Sequence, residues 1–357
     1  MRVELMSWEQ ALDRHATEWE AIVARSGLNP SLQSGWMEAA LRSHGLVEQT
    51  RVCVGFVGDQ VVSIVPVTMH RGSLRGVPVT FADLASNTVA YHPQVIATVP
   101  VAEVLRRVFD EALQGKWDVL RIMGTTEDGP TAEAVRSWAG SRGYGISVVP
   151  GERSPFIRLG RGWESYLQGR SKKFRANVNR VLRKPGEQGA AEMKWFLPES
   201  DIDELLRDML EIERGSWKAK KGLAISDRQV EVDYHRRLLP FLSRSGMLLA
   251  NVLHVNGAPA AYVLCCQSRG WVGQLKTSFR EELKNAGACA VTTSVMKGFE
   301  LGAGEYDFLG DADDHKLRWT GDVRRHCGFV VASKSIAGRA VIALGRVVGA
   351  LRSWRSA

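Results

Sequence analysis

The segment GEYDFLGDADDHKLRW, residues 304–319, gathers side chains that are suited to proton transfer. Asp311 stands four residues before His315, and two further aspartates lie between them. Neighbouring carboxylates orient an imidazole ring and favour its protonated form, so either side chain is a candidate general base near neutral pH. The competing interpretation is an acidic, solvated turn that follows a strand.

A metal loop is a third interpretation of the same segment, and its spacing argues against it. A calcium loop of the EF type places oxygen ligands at positions 1, 3 and 5 and a glycine at position 6. Counted from Asp311, this chain has histidine and lysine at positions 5 and 6, and Lys316 would repel a cation. The five cysteines show no C-x-x-C spacing, so neither a zinc site nor a disulfide framework is predicted.

A second candidate site is the segment SFREELKNAGACA, residues 278–290. A basic residue, a glycine and small residues stand there before a predicted helix. Free backbone N–H groups at a helix start and the helix dipole favour a pyrophosphate, and glycine permits its close approach. The residues concerned are Lys284, Asn285, Ala286, Gly287 and Ala288. An ordinary turn is the alternative, and the role of Cys289 in the first turn stays open.

The chain contains one order of elements twice, at an offset of about 190 residues. Each copy predicts a hairpin around a tight turn, a helix that ends at glycine, and a strand opened by an aromatic residue and an aspartate. The first copy covers residues 51–67, 102–115 and 116–124, and the second covers residues 249–265, 290–304 and 305–313. Asp118 and Asp307 are therefore equivalent and are predicted to be structural. The repeat predicts two copies of one α/β domain.

A length of 357 residues also favours two domains. Proline and glycine cluster at 148–162, which predicts a first domain over 1–150 and a second over 151–334. The remainder, 335–357, spaces apolar residues helically among arginines. It is interpreted as a basic amphipathic helix, either on an anionic membrane surface or docked on the domain with its arginines exposed.

The net charge of +8 points to an anionic partner. Residues 170–184 are rich in lysine and arginine and contain no acid. This run is either a solvated face or a surface for nucleic acid, a phosphorylated cofactor or lipid. The N-terminus carries acids where a signal peptide has its apolar core, and no apolar run is long enough to span a membrane. A cytoplasmic protein is expected, with peripheral attachment to the inner membrane face as a further possibility.

The order of helix, hairpin, long strand, K-x-x-G-x-small loop, helix and strand resembles the GNAT acyltransferase fold. The segments YLQGRSKKFRANVNRVLRK, EIERGSWKAKKGLAI and NAGACAVTTSVMKGFELGAGEYDFLGDADDHKLRW resemble the CelD/BcsL-type branch, which has paired domains and is related to the FemA/FemX peptidyltransferases. The resemblance covers roughly 160–320 and is sharpest at Tyr306-Asp307, Gly310-Asp311, His315-Lys316 and Trp319. The chain has NAG where family members commonly show an SPG-like loop.

This resemblance implies two tandem GNAT-like domains, each a mixed, mostly antiparallel twisted sheet flanked by helices. It implies transfer of an acyl group from acyl-CoA, with no metal, to an amine or hydroxyl of a small-molecule acceptor such as an amino sugar or an amino-acid-like metabolite. The loop Lys284–Ala288 would hold the cofactor, and the first domain, which lacks the loop, would lie on the acceptor side. His315 or Asp311 would be the base, Glu213 an alternative base, and Lys316 a contact of the oxyanion or phosphate.

Several other residues are candidates for binding the acceptor. Arg175 lies on the basic helix, Trp217 and Glu213 lie at a helix end, and Tyr262 lies on the long strand that passes the thioester in the GNAT fold. Asn87 and His92 form a polar island in the first copy. The alternative for each of these residues is a structural role in the core or at a domain interface.

Two other functions remain open at this point. A FemX-like transferase that uses aminoacyl-tRNA would explain the basic run at 170–184. A non-catalytic GNAT pair that acts as a scaffold in envelope polysaccharide synthesis would explain the fold. The loop at Lys284–Gly287 and Lys316 argue against a scaffold, because a protein without catalysis has no need of them.

Overall fold

The computed structural model describes residues 1–88, 92–160 and 162–344, except for the side chains of residues 87 and 88. These residues form two compact units. Unit 2 is Arg153–Arg324, and unit 1 consists of the described residues on either side of it. The predicted second domain runs to residue 334, whereas the structure places the residues from Arg325 onward in unit 1. The reason is that a strand in this stretch pairs with a strand of unit 1.

The strands are numbered in chain order. They are β1 (Arg2–Ser7), β2 (Thr50–Val57), β3 (Gln60–Leu74), β4 (Val77–Leu84), β5 (Ile96–Ala97), β6 (Val119–Thr126), β7 (Gly145–Arg158), β8 (Ala191–Phe196), β9 (Leu248–Val255), β10 (Ala258–Ser268), β11 (Trp271–Phe279), β12 (Glu305–Asp307) and β13 (Val323–Ala332).

The helices are numbered in the same way. They are α1 (Trp8–Arg25), α2 (Ser34–Ser43), α3 (Val101–Leu105), α4 (Pro130–Arg142), α5 (Trp163–Gln168), α6 (Lys172–Arg183), α7 (Ile202–Arg214), α8 (Gln229–Arg244), α9 (Ala286–Glu300) and α10 (Asp314–Leu317). A further helix covers residues 336–344.

Unit 1 contains a mixed sheet in the order β1-β2-β3-β4-β6-β13, and β5 pairs with β3. The predicted first hairpin is confirmed as β2 and β3, which pair antiparallel around a turn at Gly58. β4 and β6 pair in parallel. The helix predicted over 102–115 is α3, which continues as a π-helix over Arg106–Ala112.

Unit 2 repeats this arrangement in the order β8-β9-β10-β11-β12, and the last three residues of β7 pair with β12. β9 and β10 form the predicted second hairpin, with Asn256 and Gly257 at the turn. α9 covers one face of the sheet, where Asn251 Nδ2 donates to Ala290 O at 3.0 Å. α7 and α8 cover the other face. Each unit is therefore a mostly antiparallel sheet flanked by helices, as predicted.

The strand predicted over 305–313 is wrong beyond its third residue. β12 ends at Asp307, because Leu309 and Gly310 both have left-handed backbones, with φ of 50° and 59°. Asp307 thus closes the strand that it was predicted to open. Its side chain is fully buried and its Oδ1 accepts from Leu309 N–H at 2.8 Å, while Arg324 pairs with its other oxygen.

The described part of the tail docks on unit 1. Val341 is buried against Phe81 and Val119, and Arg75 donates to Val341 O at 2.8 Å, whereas Ile336 is 89% exposed. The rest of the predicted amphipathic helix, residues 345–357, lies outside the described residues. Within the described ranges, no helix is both long enough and apolar enough to cross a membrane.

Candidate functional site

β11 has an open edge at its C-terminal half. β12 pairs with it in parallel only from Trp271 to Gly273. β11 then continues to Phe279 with β10 on one side, while the chain after β12 turns away. Beyond Gly273, no strand in the described part of the chain pairs with β11 on the side of β12. Residues 276–279 on that side are called the open edge below.

α9 begins directly after this edge, and its first turn has free backbone donors. Asn285 has a left-handed backbone with φ of 65°, and α9 starts at Ala286, four residues earlier than predicted. Cys289 N–H donates to Asn285 O at 2.8 Å. The N–H groups of Gly287 and Ala288 make no hydrogen bond with any described residue. Ala288 is exposed, whereas Gly287 is buried. Such a helix start can bind an anion.

The loop in front of α9 is held by one side chain. Gln188 Nε2 donates to Lys284 O at 2.9 Å, and Gln188 Oε1 accepts from Lys284 N–H at 3.0 Å. The side chain of Lys284 itself is exposed to solvent. The Lys284 backbone is therefore fixed by Gln188, while its ammonium group remains available to an anion near α9.

The loop that follows β12, residues 308–316, is called the acidic loop below, and its two base candidates are exposed to solvent. Asp311 Oδ1 accepts from Arg153 N–H at 3.1 Å and from Ala312 N–H at 2.9 Å, and these bonds lower the pKa of the Asp311 carboxyl. A lowered pKa makes Asp311 a weaker base. His315 lies on the four-residue helix α10, is exposed, and forms no hydrogen bond or ion pair with the residues described.

Lys316 bonds with its side chain to the backbone of this loop. Its Nζ donates to Leu309 O at 2.7 Å and to Asp311 O at 2.8 Å. It therefore stabilises the two left-handed residues that follow β12. Trp319 is buried beneath the loop in a cluster of aromatic rings, and Tyr166 donates to Trp319 O at 2.6 Å.

Glu213 and Tyr262, which were separate predictions, meet on the α7 face of the sheet. Glu213 is fully buried, and its Oε1 accepts from the Tyr262 hydroxyl at 2.7 Å and from Lys218 Nζ at 2.8 Å. Its Oε2 accepts from Ile225 N–H at 2.6 Å. Burial alone raises the pKa of Glu213, but Lys218 and the Tyr262 hydroxyl outweigh it, so the pKa is lowered. The carboxylate therefore joins α7, β10 and the α7–α8 connection.

Lys218 is a site residue that sequence reasoning missed. Its Nζ also donates to Thr277 O on β11 at 2.8 Å, and its side chain is only 17% exposed. Burial lowers the pKa of Lys218, and Glu213 opposes this shift. The segment 215–222 contains three lysines, and nothing in the sequence distinguishes the buried one.

A second ion pair lies on the same face. Lys276 Nζ is 3.4 Å from a carboxylate oxygen of Glu231. His235 is buried below it, with Nδ1 2.7 Å from Glu231 O, and burial lowers its pKa to about 4. These three groups together with Glu213, Lys218 and Tyr262 are called the α7-face cluster below.

The remaining predicted residues are spread over the chain. Arg175 donates to Gln168 O at 3.3 Å and to Arg170 O, at the end of α5. Trp217 is 39% exposed, with Lys221 Nζ 5.1 Å from its ring centroid. In unit 1, His92 stacks on His326 with 4.3 Å between ring centroids. The side chain of Asn87 lies outside the described residues.

The structure thus joins some of the predicted residues and leaves others apart. Glu213 lies with Tyr262, and Lys316 holds the backbone of Asp311. No hydrogen bond or ion pair between described residues links the α7-face cluster to His315 or Asp311. Across the same residues, no three His, Cys, Asp or Glu side chains are grouped so as to hold a metal ion.

Comparison with known proteins identifies this fold. Residues 172–317 match the family described as an acetyltransferase (GNAT) domain, and this range contains α6–α9, the open edge and the acidic loop. Comparison with curated protein sequences finds no match.

Solved structures extend the likeness along the chain. FemX matches with a TM-score of 0.62 at 12% identity, over 88% of this chain and 95% of its own. L-PGS from Bacillus licheniformis matches with a TM-score of 0.54 at 12% identity, over 92% of this chain and 95% of its own. A tandem GNAT protein from the clavulanic acid biosynthesis pathway matches with a TM-score of 0.51 at 14% identity, over 94% of this chain and 100% of its own. At these identities the likeness concerns the fold, which is that of tandem GNAT-like proteins.

Proposed function

We propose that unit 2 transfers an acyl group from acyl-CoA to an amine, or to a hydroxyl, of a small-molecule acceptor. One observation carries this proposal. The open edge of β11 leads directly to the start of α9, where the N–H groups of Gly287 and Ala288 make no hydrogen bond within the described residues. A pantetheine chain carries amide groups that can bond to a strand edge, and a pyrophosphate fits a helix start.

The charges at the start of α9 suit the anionic end of CoA. Lys284 is exposed beside the first turn, and the dipole of a 15-residue helix adds to its attraction for phosphate. Gly287 has no Cβ, and the ring of Phe279 occupies the position that a Cβ would take. CoA is a co-substrate in this proposal, and no metal takes part in it.

The thioester end would then lie beside the α7-face cluster. Here the acceptor amine attacks the carbonyl carbon, a C–N bond forms, and the electron pair of the carbonyl moves to oxygen. When the C–S bond breaks, the thiolate leaves and the proton lost by the amine balances it. Bringing the two reactants together in one groove supplies much of the rate gain.

The acceptor would enter past the α7–α8 connection, where Trp217 offers an exposed ring. An amino sugar or an amino-acid-like metabolite is the class proposed. Among the base candidates, His315 is proposed ahead of Asp311, because hydrogen bonds lower the pKa of Asp311. Glu213 accepts from three donors and is proposed to position its neighbours instead of taking a proton.

The proposal is tested by incubating the purified protein with acetyl-CoA and longer acyl-CoAs and a panel of amines. Mass spectrometry then follows the acylated product and free CoA together. We expect equal amounts of the two for at least one amine. A protein that binds no CoA species and forms no product would contradict the proposal.

A second candidate is transfer from aminoacyl-tRNA, and the surface of α6 favours it. Lys172, Lys173 and Arg180 are exposed along this helix, and Glu187, just beyond it, pairs with Arg183 and Lys184. If tRNA binds there, its affinity should fall steeply with salt, because each phosphate contact releases counterions. Free CoA should then fail to compete with it.

The membership of the CelD/BcsL-type branch is also a proposal. The residues that support it are those of the segment 306–319. Within it Asp307 is buried, and Lys316 donates to the backbone of the acidic loop. We also propose that the arginine-rich tail attaches to an anionic membrane surface.

A further inference from the structure

Lys218 holds its charge between a buried carboxylate and a strand edge. Its Nζ donates to Glu213 Oε1 and to Thr277 O, each at 2.8 Å. An ammonium group has three N–H donors, and the third has no acceptor among the residues that the structure describes. The side chain as a whole is 17% exposed and is therefore mostly shielded from solvent.

Thr277 O faces the open edge of β11. Thr277 lies four residues after Gly273, the last residue that pairs with β12. The position of the Lys218 ammonium is therefore beside the edge along which the acyl donor would lie. Lys218 reaches this place from the α7–α8 connection, on the side from which the acceptor would enter.

We infer that Lys218 donates a hydrogen bond to the thioester carbonyl oxygen as that oxygen becomes negative during acyl transfer. This inference rests on the proposed function. As the amine nitrogen bonds to the carbonyl carbon, the π electron pair moves to oxygen beside the ammonium. The pair returns when the C–S bond breaks, and Lys218 keeps its proton throughout. A preorganised cation of this kind acts only where the charge develops.

The surroundings of Lys218 keep it charged and in place. Glu213 supplies the opposing carboxylate and is itself fixed by the Tyr262 hydroxyl and Ile225 N–H. Glu213 is thus a positioning residue. Lys276 and Glu231 face the same space from β11 and α8 as an ion pair, and their charges act on Lys218 with opposite signs. His235 is buried beside them.

The Glu213–Lys218 ion pair is largely buried, with side-chain exposures of 0% and 17%. Burying two charges costs desolvation free energy that an apolar pair would not cost. Perturbed ionisable groups in clefts cluster at functional sites. Lys220, two residues further along, shows the contrast, since its side chain is 74% exposed and pairs with Glu281 in solvent.

The test uses acetyl-CoA and hydroxylamine, a small nucleophile that does not require knowledge of the natural acceptor. The release of free thiol is measured in the full-length protein, and acetyl-CoA affinity is measured separately by calorimetry. Lys218→Met should lower the rate at saturation by about 10²-fold or more and leave the affinity within about threefold. Lys220→Met, the matched control, should leave both unchanged.

The pH profile separates this role from a structural one. The rate should fall as pH rises through the pKa of Lys218, because the cation is lost. Lys218→Arg should retain activity and lose this alkaline limb, since arginine stays protonated. Lys276→Arg, the control, should still show the fall in rate at alkaline pH. Tyr262 does not contribute to this fall, because burial raises its pKa well above its ordinary value.

The outcomes distinguish the two proposals. If wild-type protein binds no CoA, both the proposed function and this inference fail. If it binds acetyl-CoA but releases no thiol, or if Lys218→Met keeps the wild-type rate, the inference fails and the CoA site stands. If Lys218→Met does not fold, Lys218→Arg decides, and an unchanged alkaline limb contradicts the inference.

Discussion

The ring of Phe279 packs against Gly287 so closely that a Cβ atom added to this glycine would lie 2.5 Å from Phe279 Cδ1. The last residue of β11 thereby contacts the first turn of α9. This contact fixes the angle at which the open edge passes into the helix start. The glycine is required here by the approach of the ring, and Ala288, the next residue of the turn, is exposed.

Gly287→Ala should destabilise the protein by about 1–3 kcal/mol, because the added methyl group displaces the ring. Alanine alone would favour the helix by about 1 kcal/mol, so the sign depends on Phe279. In a Phe279→Ala background the same change should be neutral or stabilising. Urea denaturation of the four proteins in this cycle measures the coupling, and a Gly287→Ala change that costs the same in both backgrounds would contradict it.

Gln188 is expected to control CoA affinity without contacting CoA. Gln188→Glu keeps an acceptor for Lys284 N–H but places a negative charge against Lys284 O, where Gln188 now donates at 2.9 Å. We expect the affinity for CoA to fall about tenfold, as a loop that must be reordered costs about 1.4 kcal/mol. Calorimetry of CoA binding measures this.

The control for Gln188 is Glu187→Gln, which changes an exposed neighbour that pairs with Arg183 and Lys184. It removes a negative charge beside the basic helix, so it should leave CoA affinity unchanged or slightly higher. Equal losses of affinity in the two variants would show that the loop clamp is not the cause.

The ion pair of Asp307 and Arg324 should be essential for the stability of unit 2. Asp307 is fully buried. Asp307→Ala removes the carboxylate that pairs with Arg324 and that accepts from Leu309 N–H. Breaking a buried pair costs about 3–5 kcal/mol. Urea denaturation should show a loss of this size, and a loss below about 1 kcal/mol would contradict the structural role.

The lowered pKa of Glu213 should make the free energy of unfolding depend on pH. Its pKa is lowered in the folded protein, so its carboxylate contributes stability that is present above the unfolded pKa and lost as pH falls through the folded pKa. Glu213→Gln should therefore lower the unfolding free energy at pH 7 by about 1.5–3 kcal/mol. The difference between the two proteins should shrink below about pH 4. If the difference in unfolding free energy between wild type and Glu213→Gln stays constant from pH 7 to below about pH 4, the stabilising role of the Glu213 carboxylate is contradicted.

The sequence was sufficient to predict the repeat but not its boundaries. Turn residues at Gly58 and Gly257 mark the hairpins, because few other residues accept a left-handed backbone. The end of β12 was missed, since Leu309 has a left-handed backbone that its side chain does not favour. Lys316 holds that turn from seven residues away, and single-residue preferences do not contain such a contact.

The candidate site was predictable only where the chemistry is local. The loop Lys284–Ala288 can be seen in the sequence because a base, a glycine and small residues are adjacent. The bond between Glu213 and Tyr262 joins residues 49 positions apart, and Lys218 differs from Lys220 only in burial. Burial depends on how α7 and β11 pack, which the spacing of the lysines does not reveal.

The central claim is that the open edge and the start of α9 hold an acyl-CoA. The most direct test is isothermal titration of acetyl-CoA, longer acyl-CoAs and free CoA into the wild-type protein and into Gly287→Trp. We expect micromolar binding to the wild type and none to the variant, whose side chain would displace Phe279 from the first turn of α9 and disturb the angle between the open edge and the helix start. Circular dichroism should show both proteins folded. A wild-type protein that binds none of these compounds, or a folded variant that binds them equally well, would contradict the claim.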